Sequence, residues 1–347
     1  MTLTNIIEQI NKLYPESVAE NWDNVGLQIG NPNDNIKKVM TTLEVTGEIV
    51  DEAIKKKVDL IITHHPLIFK PLKTLALNSA NDKIYKLIRN NIAVYAMHTN
   101  VDVCVNGMND WLADAIGLNN VYELNNDIDV PLLKVSVDVN LDIVDRVKYL
   151  LQGCAINPGA LISASLDLFD NAFNTMKIIN DNNMKIRVDC CILSADLKVV
   201  KSILEENGFT DYVITPIKAP SIYLGLGRVG SIRPSKAINF AKKLKRTFNT
   251  PTNLIGDENK IIKKVAIIGG SGAEFITKAY QAGCDCLITG DVKYHDAQLA
   301  KELGIVVIDI NHYVEVIFKY KMKDILSTIL DCQVIYAQTD INPFKVV

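Results

Sequence analysis

The sequence predicts an α/β fold of two similar α/β halves, a duplicated βαβαβ, with an inserted ferredoxin-like α+β domain. In the first and last thirds of the chain, apolar strand-like runs alternate with helical patterns, which is typical of parallel βαβ units. Short strand motifs recur in these two parts with equal spacing. The middle of the chain has a different order of elements. These three observations divide the chain into residues 1–126, 127–224 and 225–347.

The first half contains strands that alternate with helices. After an amphipathic helix in MTLTNIIEQINKLYP, the segment NWDNVGLQIG predicts a tight loop that leads into a strand. We interpret this segment as a packing loop that Trp22 anchors. The predicted strands are Lys37–Glu44, Val58–Thr63 and Ile92–Met97, and the predicted helices are Thr46–Lys57, Asn81–Asn90 and Gly107–Ile116.

The second half repeats the strand motifs of the first. KKVAIIGG matches KKVMTTLE, CDCLITGD matches VDLIITHH, and IVVIDINH matches IAVYAMH. In both halves 24 residues separate equivalent positions, Val39 from Thr63 and Val265 from Thr289. This agreement favours duplicated halves that face each other, and chance similarity between buried strands is the rival interpretation.

Residues 127–224 carry alternating strands and helices. The strands are PLLKVSVDVN, MKIRVDCCIL and DYVITPIK, and the helices are LDIVDRVKYLLQGC and DLKVVKSILEENG. This order resembles a ferredoxin-like split βαβ unit. Because the segment contains no histidine, we interpret it as an accessory domain for assembly, access or regulation.

The composition is that of an ordinary globular protein, with 48% hydrophobic residues, 22% charged residues and a net charge of −3. A chain with this balance is not attracted to polyanions as a whole, which leaves only a local basic patch to consider. No membrane span is needed, and the polar residues of the first helix argue against a signal peptide, so we expect a cytoplasmic protein. The seven cysteines have no CxxC spacing and predict reduced core residues.

All five histidines follow predicted strand ends or lie a few residues beyond them. His64 and His65 close the strand DLIIT, and because neighbouring strand residues point to opposite faces, the pair can serve two ions, or one ion and a substrate. The other polar residues at these ends are His98, His295, His312, Asp102 and Asp291. Parallel crossovers bring the carboxyl ends of strands to one sheet edge, so the sequence predicts that these residues cluster.

This set of side chains predicts a divalent-metal site. Neutral imidazoles and carboxylates bind Zn, Mn, Fe, Co and Ni without choosing firmly among them. His312 and Glu315 are three residues apart at the start of a predicted helix, Tyr313–Leu326, and therefore share a helix face. With Asp102 able to bridge, we expect two ions per subunit about 3.5–4 Å apart, a single ion being the alternative.

Seven motifs carry a family resemblance, in the order NWDNVGLQIG, THHPLIFKPLK, HTNVDVCVNGMND, GLGRVG, GGSGAE, TGDVKYHDA and DINHYVEV. Over nearly the whole chain they resemble the GTP cyclohydrolase I type 2 homologue family, also called the NGG-interacting-factor-like proteins. The resemblance implies two α/β halves that enclose a di-metal site, and dimers that assemble into a toroidal hexamer. It also implies His64, His65, Asp102 and His312 as metal ligands.

The chain departs from the family pattern at one ligand. The family usually has a glutamate four residues after the last histidine. In this chain that position is Val316, and Glu315 lies three residues after His312. Either the helix start is shifted and Glu315 still binds, or one ion is held more weakly. His98 and His295 match the family motifs and are the candidate catalytic residues. Hydrogen bonding beside Asp102 is the other interpretation of His98, and we expect His295 near the substrate as a proton donor.

The activity that the resemblance implies is hydrolytic opening of the guanine ring of GTP with release of formate. The first hypothesis is therefore a metal-dependent hydrolase of a nucleotide or related small molecule, with Lys70, Arg228 and Lys293 as candidate cations for phosphate and GGSG as a weak phosphate-loop signal. The alternatives are a metal-handling or regulatory protein without catalysis, and a ring-shaped scaffold that binds nucleic acid or protein. The scaffold hypothesis rests on a predicted basic helix, Pro234–Thr247.

Overall fold

The computed structural model describes residues 1–76, 81–152, 154–155, 173–180, 183–339 and 341–344. The chain forms two compact units with a mixed α/β fold. Unit 1 consists of Met1–Ile6, Ala19–Asp127 and Gly225–Val347, and unit 2 consists of Ile7–Val18 and Ile128–Leu224. Every candidate ligand and catalytic residue predicted from the sequence lies in unit 1.

The first sheet of unit 1 has the strand order β1-β4-β3-β2-β13. Its strands are β1 (Gly26–Ile29), β2 (Lys38–Thr42), β3 (Leu60–Thr63), β4 (Ala93–Ala96) and β13 (Gln333–Tyr336). Strands β13, β2, β3 and β4 are parallel, and β1 pairs with β4 in the antiparallel direction. Helix α1 (Leu3–Leu13) precedes β1, and its residues from Ile7 onward belong to unit 2. The other helices of this part of the chain are α2 (Gly47–Lys56), α3 (Asp82–Arg89), α4 (Thr99–Val103) and α5 (Met108–Ile116).

The register of this sheet brings the carboxyl ends of its central strands level. Thr63, the last residue of β3, pairs with Thr42 of β2 on one side and with Ala96 of β4 on the other. All four residues of β3 and all four of β4 are buried, as expected of a parallel sheet covered on both faces. The loops after β3 and β4 therefore start side by side.

The second sheet of unit 1 contains the strands β8-β10-β11-β12-β9 in that order. They are β8 (Tyr212–Lys236), β9 (Asn253–Ile255), β10 (Ile261–Ile267), β11 (Cys286–Thr289) and β12 (Val306–Asp309). Strands β10, β11 and β12 are parallel, and the two flanking strands run antiparallel to their neighbours. The helices are α8 (Ala237–Phe248), α9 (Ile276–Gln281), α10 (Tyr294–Leu303) and α11 (Ile317–Ile329).

Two predicted helices begin later than expected. The basic helix predicted to start at Pro234 starts at Ala237, because the preceding residues extend β8 and Lys236 still pairs with Ile261. The helix predicted to start at Tyr313 is a 3₁₀ helix over His312–Val316, and α11 follows it. Here the Asn311 side chain accepts a hydrogen bond from the backbone N–H of Tyr313 at 2.9 Å, which caps a tight first turn.

Unit 2 has an antiparallel sheet in which β7 lies between β6 and β5. Its elements are the part of β5 (Asn119–Val139) after Asp127, α6 (Val144–Leu151), β6 (Phe173–Asn180), β7 (Asn183–Leu193), α7 (Leu197–Glu206) and the part of β8 before Gly225. A core that includes Val135, Val188, Val200 and Leu204 joins the two helices to one face of the sheet. Strand β6 was not predicted, since its segment FNTMKIIN mixes polar and apolar residues without clear alternation.

Within the described parts of the chain, no helix combines the length and the apolar character that crossing a membrane would require.

Candidate metal centre

His64 and His65 follow β3 directly, and their backbone is held by the end of the neighbouring strand. The His64 N–H donates to the Thr42 carbonyl at 3.2 Å, and the His65 N–H donates to the Leu43 carbonyl at 2.9 Å. The Thr63 hydroxyl donates to the same Leu43 carbonyl at 3.1 Å. Because these bonds continue the sheet past the last strand residue, the two imidazoles leave a rigid edge.

The remaining candidate ligands come from two other loops of unit 1. His98 precedes α4 and Asp102 lies within it, after the carboxyl end of β4. His312 and Glu315 lie in the 3₁₀ helix after β12, a strand of the second sheet. The predicted convergence of strand ends therefore involves the carboxyl ends of two sheets, where we had expected one sheet edge.

One group of donor atoms joins His65, His312 and Glu315. The Glu315 Oε2 lies 3.1 Å from His65 Nε2 and 3.0 Å from His312 Nε2, and the two imidazole nitrogens are 3.3 Å apart. Ligand atoms about 2.0–2.2 Å from one tetrahedral ion are roughly 3.3–3.6 Å from each other. The spacing of these three atoms is close to that of ligands that share an ion.

A second group joins His64, Asp102 and Glu315. His64 Nε2 lies 3.7 Å from Asp102 Oδ1 and 3.7 Å from Glu315 Oε2. Among the described residues, His64 Nε2 and Asp102 Oδ1 are buried and have no hydrogen-bond partner. A buried polar atom without a partner costs about 1–3 kcal/mol, and a cation between the two atoms would satisfy both of them.

Three histidines are oriented through their Nδ1 atoms. The Nδ1–H of His64 donates to the Met97 carbonyl at 2.9 Å, that of His98 to Asp23 Oδ1 at 2.9 Å, and that of His312 to Asp291 Oδ2 at 2.7 Å. A proton on Nδ1 leaves the lone pair of the neutral ring on Nε2. This is the usual arrangement of metal-binding histidines, which are oriented by a carbonyl or carboxylate behind them.

The electrostatics of the cluster also suit a cation. Burial lowers the pKa of His64 to about 4, so its imidazole is neutral at pH 7 and can act as a ligand. Burial and the charge of Glu315 raise the pKa of Asp102 to about 8. Burial alone would raise the pKa of Glu315, but the hydrogen bond from His312 and the neighbouring imidazoles of His64 and His65 hold it well below its usual value. The hydrogen bond to Glu315 raises the pKa of His312 to about 9. A divalent ion would displace the protons that these raised pKa values leave on Asp102 and His312.

The 3₁₀ geometry explains why the carboxylate stands at the third position after His312. With 3.0 residues per turn, positions i and i+3 of a 3₁₀ helix eclipse each other, so Glu315 lies directly beside His312. Glu315 is only 3% exposed. Of the two alternatives left by the sequence, the arrangement matches the one in which the helix start is altered and Glu315 remains in the site.

The GGSG turn makes room for this carboxylate. A Cβ atom on Gly270 would come within 2.7 Å of Glu315 Oε1, and one on Gly269 within 3.1 Å. Gly270 also has a φ of +59°, which favours glycine. These contacts give the two glycines a packing role against Glu315, separate from the weak phosphate-loop signal.

The candidate catalytic residues occupy different surroundings. His98 offers a ligand atom within 4.8 Å of those of His64 and His65, so it borders the cluster. His295 is exposed in the first turn of α10, with its ring against that of Tyr294 at 5.6 Å, and it belongs to none of the three ligand groups found among the described residues.

The three candidate phosphate-binding cations also differ. Arg228 is 2% exposed, and its guanidinium is paired with Asp110 and donates to the carbonyls of Gly225, Gly227 and Cys104. These bonds give Arg228 a structural role. Lys70 and Lys293 are exposed.

Sequence reasoning missed the role of Asp23. Its carboxylate accepts hydrogen bonds from His98 Nδ1 at 2.9 Å, from the Thr99 N–H at 3.0 Å and from the Thr99 hydroxyl at 2.6 Å. Burial alone would raise the pKa of Asp23, but these bonds lower it to about 2. The motif NWDNVG marked the loop, but no local pattern links Asp23 to residues more than 70 positions away.

Comparisons with known proteins point to one family. A family model described as Duf34/NIF3 (NGG1p interacting factor 3) matches residues 1–343. A Staphylococcus aureus (strain MRSA252) protein named GTP cyclohydrolase 1 type 2 homolog is 35% identical, over 95% of this chain and 93% of its own. The Bacillus subtilis (strain 168) protein of the same name is 32% identical, over 98% and 97%. The crystal structure of a Bacillus cereus protein related to NIF3 matches with a TM-score of 0.78 and 30% identity, covering 100% of this chain and 99% of that one.

Proposed function

Because this chain belongs to the Duf34/NIF3 (NGG1p interacting factor 3) family, we propose that it is a divalent-metal-binding, metal-dependent hydrolase of a nucleotide or related small molecule. The observation that carries the proposal is the buried pair of unpartnered donors, His64 Nε2 and Asp102 Oδ1, beside a shared carboxylate. Such a pair is costly in a protein without a cation and is satisfied in one that binds it.

We assign the ligands of two ions from the two groups of donor atoms. His65, His312 and Glu315 would hold one ion, and His64, Asp102 and Glu315 the other. Glu315 is common to both groups, so it would be shared between the two ions, a role that was expected of Asp102. Nitrogen and carboxylate ligands suit Zn, Mn, Fe, Co and Ni alike.

The residues around the cluster would handle protons and orientation. The bound ions would supply Lewis acidity and activate a water molecule near neutral pH. Burial alone would lower the pKa of His98, but its hydrogen bond to Asp23 raises it above the ordinary value. His98 Nε2 can therefore hold a proton beside the cluster while Asp23 fixes the ring. His295 would serve as a proton donor from the surface of α10.

We also propose that the two sheets of unit 1 are duplicated halves. Equivalent contacts support this idea, because one carboxylate in each half binds two successive backbone N–H groups. Asp59 Oδ2 accepts from Lys37 and Lys38 at 2.9 and 2.8 Å, and Asp285 Oδ2 accepts from Lys263 and Lys264 at 2.8 and 2.9 Å. The strand–helix alternation of unit 2 supports a ferredoxin-like insert with an accessory role.

The assembly and location follow from the family resemblance. We propose a cytoplasmic homo-oligomer, a hexamer built from dimers. Light scattering should then measure a mass of six times 38.5 kDa. The seven cysteines are free, which suits a reducing compartment. A nucleic-acid scaffold is the second candidate, since the basic residues Lys236, Lys242, Lys243, Lys245 and Arg246 are all exposed. Salt-dependent DNA binding would test it.

The deciding experiment measures metal content and then turnover. Elemental analysis of the purified protein should find two divalent ions per subunit, and a screen with nucleoside triphosphates should find hydrolysis that a chelator abolishes and one metal restores. If the protein binds metal but shows no turnover with Zn, Mn, Fe, Co or Ni, the metal-handling role would be favoured. A protein that binds no divalent ion would overturn the proposal.

A further inference from the structure

Trp22 was interpreted from the sequence as the anchor of a packing loop, but its side chain is 59% exposed. Phe69, on the loop after β3, is 49% exposed, and the two ring centroids are 6.1 Å apart with an interplanar angle of 61°. Exposing two large aromatic rings in contact forfeits the free energy that their burial would contribute. The packing explanation therefore fails for this pair, and another role is needed.

The loops that carry these two rings are tied to each other. Asn24 Nδ2 donates to the Ile68 carbonyl at 2.5 Å, and the Gln28 side chain accepts from the Ile68 N–H at 2.9 Å. Gln28 Nε2 donates back to the Asn24 carbonyl at 2.7 Å. Asn24 and Gln28 thus fix the backbone next to Trp22 against the backbone next to Phe69.

The Trp22 loop is also tied to the cluster side. The Glu20 N–H donates to the Thr99 hydroxyl at 3.0 Å, and Asp23 accepts from His98 and Thr99. The rings of Trp22 and His98 are 6.1 Å apart and nearly perpendicular, at 78°. The exposed indole is therefore carried by a preorganised backbone, and the ring of His98 lies between it and the candidate ligands.

We propose that Trp22 and Phe69 form a stacking platform for a planar aromatic heterocycle of the nucleobase type, which places that ring of the ligand beside the metal cluster. This inference rests on the proposed function, because it names the part of a nucleotide-like substrate that the site recognises. At 6.1 Å the two rings contact each other directly, so the ligand would lie on the exposed indole and not between them. The exposed Lys70 follows Phe69 in the chain and puts a cation on the same loop for an anionic substituent.

A partner protein or a second copy of the chain is the competing occupant. Two observations favour a small ring. The exposed indole contacts His98, which borders the ligand cluster. The hydrogen bonds of Asn24, Gln28 and Asp23 hold the loop backbone that carries the indole. Preorganisation of this kind increases affinity for a ligand that makes only a few contacts.

The test uses guanosine 5′-monophosphate as the probe. Ribose 5-phosphate, which has the same sugar and phosphate but no nucleobase, is the control. The chain has two tryptophans, and since Trp111 is 2% exposed, quenching of the exposed fluorophore reports on Trp22. We expect saturable quenching by the nucleotide and none by the sugar phosphate, in metal-loaded and in chelator-treated protein. Equal binding of the two probes, or no saturable binding of the nucleotide, would overturn the platform.

Variants separate stacking from other effects. By calorimetry, Trp22→Ala should weaken nucleotide binding roughly 5- to 150-fold, the range found for loss of one base-stacking ring, whereas Trp22→Phe should retain most of it. Trp22→Leu keeps apolar bulk without an aromatic face and should bind as weakly as the alanine variant, which covers the case in which Trp22→Ala does not fold. Tyr149→Ala, which removes a 71% exposed ring in unit 2, is the matched control and should bind normally.

Two results would contradict the inference in different ways. Wild-type nucleotide affinity in Trp22→Ala and Trp22→Leu would show that no stacking occurs there. A change in oligomeric mass with unchanged nucleotide affinity would assign the rings to a subunit contact. These binding measurements need no turnover, so saturable nucleotide binding by a protein that shows no turnover in the metal screen would count against the proposed hydrolase while leaving the platform intact.

Discussion

Replacing Glu315 with glutamine would remove one negative charge from the centre of the cluster while keeping the size of the side chain. Its Oε2 lies 3.0 Å from His312 Nε2, 3.1 Å from His65 Nε2 and 3.7 Å from His64 Nε2. Because Glu315 takes part in both ligand groups, we expect Glu315→Gln to weaken both ions.

The magnitude follows from the position of the carboxylate. Loss of a residue that hydrogen-bonds to a metal ligand typically lowers the metal affinity ~10–100-fold. A carboxylate that itself binds the ion should cost at least the upper end of that range, about 2.8 kcal/mol for each ion. Asp291→Asn is the matched control, since Asp291 contacts His312 Nδ1 behind the cluster and should weaken only one ion, by ~10–100-fold.

Moving the carboxylate by one residue tests the 3₁₀ geometry. With about 3.0 residues per turn, position i+4 lies about 120° around the helix from position i, whereas i+3 eclipses it. The paired change Glu315→Val with Val316→Glu should therefore fail to restore the metal, although an α-helical start would have allowed restoration. In an ideal α-helix both positions lie within about 60° of the histidine.

The assay is competition with a chelator of known affinity, followed by elemental analysis of each variant. Circular dichroism and thermal melting would show that the variants are folded. Wild-type affinity for both ions in Glu315→Gln would remove Glu315 from the site. Recovery of metal by the paired change would refute the 3₁₀ argument and favour a regular helical turn after His312.

Three further perturbations test the site and its support. His64→Ala and Asp102→Ala should each lower the metal content per subunit with the fold retained, because these side chains lie beyond strand ends, and unchanged stoichiometry in both would contradict the assignment. Asp23→Ala should lower the free energy of unfolding by about 3 kcal/mol in urea titrations, since it removes the acceptor of three hydrogen bonds; Asp23→Asn should cost less. For Glu52, burial would raise the pKa, but hydrogen bonds from Gln338, Lys56 and Thr339 lower it to about 2. Its stabilisation, about 1–2 kcal/mol after allowance for solvent, should be complete above the unfolded pKa of about 4.3 and disappear as the pH falls towards 2. The difference in melting temperature between wild type and Glu52→Gln should narrow over that interval, and a constant difference would contradict it.

Several features could be predicted because their signals are local. The strands before His64 and before His98 are short apolar runs closed by polar residues, and the structure places β3 and β4 there within two residues of the predicted ends. The family resemblance is confirmed by the family model over residues 1–343. By contrast, β6 was missed, and the helix expected from Tyr313 begins as a 3₁₀ turn, because a side-chain cap and a buried carboxylate decide its geometry.

The sequence by itself determined the α/β class, the histidines at strand ends and the choice of a metal-binding hypothesis, since periodicity and ligand chemistry are encoded within a few neighbouring residues. Only the tertiary structure decided that Glu315 is shared by two ligand groups, that Asp23 orients His98, that Arg228 is structural and that Trp22 is exposed. His65 and Glu315 are 250 residues apart in the chain, and they meet because two sheets direct their carboxyl ends to one place. No local pattern records such a distance, because the packing of whole elements sets it.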